Sequence, residues 1–276
     1  MTRKNREKLL EVAHDISNEF ASLRTVEAVT LGGSLSTGNA NHRSDIDLYV
    51  YFREQISTNV RYRIISERAI EMQLDNSFWE IEDYWYERET GIKVEAMYRH
   101  IDWPEAHLKD LFANARAQMG CSTSMWHNIS TSLILYDRNG RAASLKASAM
   151  EYPDSLVTAI INKNYALLRG SMAAHPEQII NAMLRKDTIF MWSRVVAFLD
   201  SYFDVLFALN RTLHPGSKRQ LQFAQKLKHK PGKMRSDIES LFQITTVEQM
   251  RIKLEDIVDR LTALLAKHHA LPVGAT

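Results

Sequence analysis

The sequence predicts an α+β fold, a mixed sheet with flanking helices over residues 1–150, followed by an all-α helical bundle over residues 151–276. Three observations carry this. The runs "VEAVTL" (26–31) and "DIDLYVYF" (45–52) are short, rich in β-branched or apolar residues, and separated by a glycine-bearing turn. From about residue 150 the texture changes to long stretches with apolar residues at helical spacing. A chain of 276 residues that is 45% apolar and 25% charged can bury one large core or two modest ones.

Taken in order, Leu9, Val12, Ala13, Ile16 and Phe20 recur at helical intervals between charged residues, so residues 4–23 read as an amphipathic helix. "VEAVTL" is a strand closed by Gly32-Gly33, and "DIDLYVYF" has the apolar density of a sheet interior. Residues 56–73 read as a helix. "FWEIEDYWYERETGIKVEAMYRH" reads as two extended segments joined at Glu89-Thr90-Gly91 in an antiparallel pair. "SLILYD" is a further strand, ending in the turn Asp137-Arg138-Asn139-Gly140. In the second half, Pro153 and Asp154 stand at helix-start positions, and "IINAMLRKDTIFMWSRVVAFLDSYFDVLFALN" has apolar residues on more than one helical face. Pro215-Gly216 and Pro231-Gly232 interrupt the bundle before a last helix in "VEQMRIKLEDIVDRLTALLAKHH".

Composition narrows the function. Lys plus Arg total 35 against 33 Asp plus Glu, a net charge of +2 that gives no general attraction for nucleic acid or an anionic membrane. The basic run "KLKHKPGKMR" (226–235) lacks interleaved aromatics and reads as a solvated linker. A single cysteine, Cys121, cannot form an internal disulfide or a thiolate zinc site. The start lacks the continuous apolar core of a signal peptide, and no run reaches the ~18 apolar residues of a membrane span, so a cytoplasmic location is expected. Trp79, Trp85, Trp103, Trp126 and Trp192 read as core or groove-lining residues.

The informative stretch is "LGGSLSTGNANHRSDIDLYVYF" (31–52). Gly33 and Gly38 have P-loop spacing, but Asn39-Ala40 follow where Lys and Ser or Thr are required. Gly32-Gly33-Ser34-Leu35-Ser36 falls one glycine short of a nucleophile elbow. Asp45 and Asp47, at i and i+2 on a strand, project to one side and repel each other. Mg²⁺ accepts carboxylate oxygens together with phosphate oxygens, which resolves that repulsion. An Asp pair at a strand end is more often a solvated cap. Here Gly32 and Gly33 admit close backbone approach and Ser34 opens a short helix whose N–H groups suit an anion, and that favours the chemical reading.

Gly33-Ser34, ten residues, then Asp45-Ile46-Asp47 resembles the signature of the DNA polymerase β-type nucleotidyltransferase superfamily, with a spacing similar to that of the aminoglycoside nucleotidyltransferases. The resemblance implies that Gly33 and Ser34 hold a nucleoside triphosphate, and that Asp45 and Asp47 bind two Mg²⁺ ions. It implies a third carboxylate on a neighbouring strand, here Glu95 in "GIKVEAMYR", as metal ligand, general base, or both. Glu80, Glu82 and Asp83 are its rivals, but only Glu95 sits inside an apolar run. In the helical half, "LFALNRTLHPGSKR" is similar to the helical domains of small-molecule nucleotidyltransferases. Asn210 and Lys218, flanking the Pro-Gly turn, are by that likeness nucleotide-binding, with Lys218 expected in the first turn of the next helix. His214 shares that turn, and Arg185 and Lys186 read as a solvated helix face.

The expected reaction is transfer of a nucleoside monophosphate, AMP from ATP, to a hydroxyl of a small molecule, with nucleotide and acceptor in a cleft between the two domains. Aminoglycoside-like or lincosamide-like antibiotics are the acceptors the resemblance implies, and resistance to them the role. Nucleotidylation of a protein or RNA is a second enzymatic reading, and a nucleotide-binding pseudoenzyme is a third. Retention of all three carboxylates argues against the last.

Overall fold

The structure is a computed structural model and describes residues 2–41, 44–78, 80–149 and 151–272. It resolves into two compact units, residues 1–108 with 128–150 and residues 109–127 with 151–276. The chain therefore passes between the units three times, where a single division at residue 150 describes one passage.

The first unit begins with α1 (Arg3–Ala21), β1 (Val26–Leu31), the single turn α2 (Gly33–Ser36) and β2 (Ile46–Phe52). It continues through α3 (Thr58–Ser66), β3 (Ala69–Asn76), β4 (Glu82–Glu87) and β5 (Lys93–His100). The chain leaves the first unit within α4 (Asp102–Ala113) and returns within α5 (Ser124–Thr131), and β6 (Leu133–Asp137) and α6 (Arg141–Ser148) complete that unit. The six strands form one mixed sheet in the order β3-β4-β5-β2-β1-β6. Four of the pairings are antiparallel; β2 and β5 run parallel in continuous register from Ile46↔Val94 to Phe52↔His100.

Strand alternation sorts the sheet's two faces. Ile46, Leu48, Val50 and Phe52 of β2 and Val94, Ala96 and Tyr98 of β5 bury in one core with Leu9, Val12, Ala13, Ile16 and Phe20 of α1 and Ile65 of α3. Asp47, Tyr49 and Tyr51 of β2 and Glu95, Met97 and Arg99 of β5 turn to the other face, where Tyr49, Tyr51, Met97, Ala28 and Ile101 make a smaller cluster with Ala142 of α6. The first core also contains an ion pair. Arg61 of α3, 1% exposed, donates to Asp83 (2.6 Å) and Asp75 (2.7 Å). The burial cost of its charge is thus offset by two carboxylates.

The helix expected over residues 56–73 is corrected. It ends at Ser66, and "AIEMQLDN" is strand β3 at the sheet edge, paired with β4. Ala, Glu, Met, Gln and Leu favour helix in isolation, and the ladder with β4 overrides that local preference.

The second unit packs α7 (Asp154–Leu168), α8 (His175–Leu184) and α9 (Thr188–Leu209) with α10 (Gln220–Ala224), α11 (Met234–Leu241) and α12 (Val247–Lys267). Arg185 and Lys186 are corrected from a helix face to the break between α8 and α9, where Arg185 caps α8 and Lys186 takes φ +58°. Trp126 is buried, and Trp192 stacks flat on Phe242 at 5.5 Å. Trp79 lies outside the described residues. Among the described residues, no helix is long and apolar enough to cross a membrane.

At the heart of this unit Asp204 accepts hydrogen bonds from the Ser122 amide (3.0 Å), the Ser122 hydroxyl (2.6 Å) and the Asn164 amide group (3.0 Å). Burial pushes its carboxyl up to about 7, and those donors offset the burial only in part. His214 is buried nearby in sequence terms to Pro215-Gly216, and burial, aided by His127, pulls it down to about 4. Gly216 N–H donates to His214 Nδ1 (3.1 Å), so Nε2 carries the proton and faces Cys121 Sγ at 3.9 Å as a donor. Burial, with Asp200 and Asp204, pushes the Cys121 thiol up to about 12. It is a packed thiol, and His214 Nε2, which carries the proton, is no base for it.

These two groups oppose each other in pH dependence. Asp204 keeps its proton in the native state to about pH 7, whereas the unfolded chain releases it near ~4, so its contribution is full at low pH and lost as pH rises. His214 stays neutral in the native state down to about 4, whereas the unfolded chain protonates near ~6.5, so its contribution falls as pH falls. In a pH series of urea melts, Asp204→Asn is expected to make stability climb more steeply with pH across that window than in the parent. His214→Asn is expected to make it decline.

Candidate active site

The site is built on the face of the first sheet that carries Asp47 and Glu95. The parallel register sets Asp47 directly beside Glu95, and Asp45 stands one residue ahead of β2 on the same side. Oxygens of Asp45, Asp47 and Glu95 all lie within 4.8 Å of one another, and each side chain is partly exposed. Three hard oxygen donors converging on one point are a donor set that fits Mg²⁺.

Beside this cluster the chain leaves β1 through Gly32 and Gly33. The Gly32 N–H donates to the Asp47 carbonyl (2.8 Å), extending the β1–β2 ladder to the carboxylate pair. Gly33 has φ +66°, and a Cβ placed there would lie 1.7 Å from Asp47 Oδ2. The turn thus rests directly on the carboxylate, and only glycine fits, by conformation and by space. Ser34 follows in α2, its hydroxyl donating to the Ser44 hydroxyl (2.9 Å), which in turn accepts from the Asn41 N–H (2.8 Å). Ser34 therefore ties the turn to the segment that delivers Asp45.

The structure adds Lys93, which the sequence reading passed over. Its ammonium pairs with Glu95 and lies 4.5 Å from the Tyr84 ring centroid. Burial by itself would lower the Lys93 pKa; the hydrogen bond to Glu95 and the charges of Glu95 and Asp45 outweigh it and raise it. Period-2 alternation, Lys93 at i and Glu95 at i+2, was the available signal.

The rival carboxylates are engaged elsewhere. Glu80 grips Arg99 through two hydrogen bonds, and Asp83 is buried on Arg61 on the opposite face. Glu82 accepts a hydrogen bond from the Tyr84 hydroxyl; burial, then the charges of Glu80 and Glu95, raise its carboxyl. Tyr84 itself stands opposite Glu95 in the β4–β5 ladder.

Asp45, Asp47, Glu95, Gly33 and Ser34 come together in the first unit, whereas Asn210 and Lys218 belong to the second. Asn210 caps α9; both its amide protons are used, on the Leu206 and His229 carbonyls (2.8 Å each), and its oxygen accepts from the His229 N–H (2.8 Å). It clamps the basic segment, whose Leu227, Pro231 and Met234 are buried while Lys228, Lys230 and Lys233 face outward. Lys218 is exposed, and its expected place in a helix is corrected. It lies in the turn ahead of α10, because Arg219, with φ +61°, takes the cap position and delays the helix to Gln220.

Residues 14–86 match the family model described as polymerase beta, nucleotidyltransferase. That match defines the class for these residues, a polymerase β-type nucleotidyltransferase region that takes in Gly33, Ser34, Asp45 and Asp47 and ends ahead of Glu95. Residues 122–219 match a second model, described as a domain of unknown function, DUF4037. No curated protein matches the chain. Among solved structures, a nucleotidyltransferase-like protein from Exiguobacterium sibiricum 255-15 has 15% identity, covering 94% of this chain and 78% of its own, with a TM-score of 0.46. CdnC of E. coli MS115-1 with ATP has 11% identity over 93% and 92%, with a TM-score of 0.32. The Thermotoga maritima CCA-adding enzyme complexed with tRNA has 11% over 95% and 83%, with a TM-score of 0.33. The class rests on the family model and the site, not on these distant likenesses.

Gly33→Ala tests the turn. It is expected to cost at least about 1 kcal/mol in urea unfolding, since alanine is strained at positive φ. It should also displace the Asp47 carboxylate, so that a Mn²⁺ titration followed by electron paramagnetic resonance shows strongly weakened binding.

Proposed function

We propose that the protein is a Mg²⁺-dependent nucleotidyltransferase that moves AMP from ATP to a hydroxyl of a small molecule. The observation that carries this reading is the convergence of Asp45, Asp47 and Glu95 beside the Gly33-Ser34 turn. In the reaction the acceptor oxygen forms a bond to the α-phosphorus, the bond from that phosphorus to the bridging oxygen breaks, and pyrophosphate leaves with the electron pair. The hydroxyl proton goes to a carboxylate or to water.

Asp45, Asp47 and Glu95 would hold the cations. Two Mg²⁺ ions bound there would neutralise phosphate oxygens and acidify the acceptor hydroxyl. The remaining work falls to the chain. Gly32 and Gly33 let the backbone approach the triphosphate, and the Ser34 hydroxyl adds a donor once it turns from Ser44. Lys93 limits the repulsion among the carboxylates; its raised pKa keeps it an ammonium, which makes it a donor and not a base. Glu95 can hold a cation or take the proton. A bound cation lowers its basicity, so the two roles compete.

For the acceptor, the support is the resemblance of the Gly33-Ser34 and Asp45-Ile46-Asp47 spacing to that of the aminoglycoside nucleotidyltransferases. That likeness favours a hydroxylated molecule of aminoglycoside or lincosamide type. Purified protein incubated with Mg²⁺, each nucleoside triphosphate and a panel of such antibiotics should release pyrophosphate and yield a product heavier by one nucleotidyl group in mass spectrometry. Absence of product across the panel would sink the small-molecule reading.

Asp45→Asn and Asp47→Asn are each expected to abolish this turnover, as EDTA should in the parent, while leaving the fold intact. Each also removes one of the mutually repelling charges, so thermal unfolding without metal should be unchanged or shifted upward. Undiminished activity in either variant would remove the carboxylate pair from the chemistry.

A further inference from the structure

Next to the carboxylate cluster stands a column of contacting side chains that the proposed chemistry does not use. The Arg99 guanidinium lies 4.5 Å from the Tyr49 ring centroid and 4.9 Å from that of Trp103. His107 closes the column, its ring stacked on Trp103 at 5.4 Å and 22°. Glu80 fixes the guanidinium in its plane through Nε (2.6 Å) and a terminal nitrogen (2.5 Å). The Arg99 side chain is only 9% exposed. Burying an arginine is costly, and the apolar cluster on this face would be satisfied by an aliphatic residue at the same place.

What the column supports lies at its Tyr49 end. The Tyr49 ring packs so closely on Gly32 that a Cβ there would come within 2.6 Å of it, and the Tyr49 hydroxyl accepts from the Asn128 amide group (2.6 Å). Gly32 is followed by Gly33, which rests on the Asp47 carboxylate. Two consecutive glycines have no side chains with which to hold themselves, and their conformational freedom is the largest of any residue. Contact therefore runs without a break from Trp103 through Arg99, Tyr49 and Gly32 to Gly33 and Asp47.

We propose that Arg99 is a positioning residue: held by Glu80 and packed against the rings of Tyr49 and Trp103, it backs the Tyr49 ring against Gly32 and so holds the Gly32-Gly33 turn in the shape that receives the nucleotide. The consequence for nucleotide rests on the nucleotidyltransferase reading; the support of the turn does not. Lysine cannot replace arginine here, because it has neither the planar fork for Glu80 nor the flat face for two rings.

The test is hydrogen exchange by mass spectrometry on the full chain, paired with calorimetry of MgATP binding. In Arg99→Lys and Trp103→Ala, amide exchange over residues 32–37 is expected to rise while peptides from the interiors of β1 and β2 keep the parent's protection. Trp103→Phe, which keeps an aromatic face, should restore most of the loss. MgATP should bind about tenfold more weakly in Arg99→Lys, as for supporting residues behind other ligand sites. In turnover the change should fall on KM for nucleotide, with kcat at saturating nucleotide retained. The proposal is overturned if both variants leave residues 32–37 as protected as in the parent, or if exchange rises equally along the whole sheet, which would mark Arg99 as a general stabiliser. If exchange responds as expected but the parent binds no nucleotide, the support of the turn stands and the nucleotidyltransferase reading falls.

Discussion

The constraint on which this structure turns is the parallel register of β2 against β5. It sets Asp47 beside Glu95 at one level of the sheet, with Asp45 just ahead, although three carboxylates within 4.8 Å of one another repel. The arrangement persists because the backbone is not free to move. Both strands bury their alternate residues in the core against α1 and α3, and a slip of one residue would carry Ile46, Leu48, Val94 and Ala96 to the wrong face. Hydrophobic burial on one side of the sheet thereby sustains charge crowding on the other.

The crowded side is tempered locally. Lys93 contributes a counter-charge, and the glycine turn gives the Asp47 carboxylate room that any side chain would remove. Several other charged residues of the sheet have partners of their own. Arg61 draws Asp83 and Asp75 together, Arg99 takes Glu80, and Glu82 is capped by a tyrosine hydroxyl. Among the described residues one cluster of three carboxylates is close enough to share a cation, while Asp75, Asp83 and Glu80 are held by arginines and Glu82 by a tyrosine hydroxyl.

The second unit solves a different problem. Its long helices are apolar on several faces, and a buried polar knot of Asp204, Ser122 and Asn164 fastens the 109–127 segment into the bundle. Three donors aimed at one carboxyl group specify position more sharply than apolar contact could. Asn210 performs a similar service for the basic segment, spending its side chain on the backbone of His229.

Much of this was legible in the sequence. Strands β1, β2, β5 and β6 and the terminal helices follow from apolar period and punctuation, and Gly33, Ser34, Asp45 and Asp47 could be picked out because they lie close together along the chain. Residue 95 could be reached only through a resemblance, since nothing local says which strand will lie beside β2. The edge strand β3 was hidden for the same reason: its residues favour helix, and only its partner β4 makes it a strand. Neither the Lys93–Glu95 pair with Tyr84 across the ladder nor the column from Tyr49 to His107 is written in any one segment. The sequence by itself determined most of the elements and the candidate side chains that lie close together along the chain, because periodicity and turn chemistry act over a few residues. The tertiary structure decided which carboxylates meet and which are neutralised, because pairing register and burial are settled between segments that the chain keeps far apart.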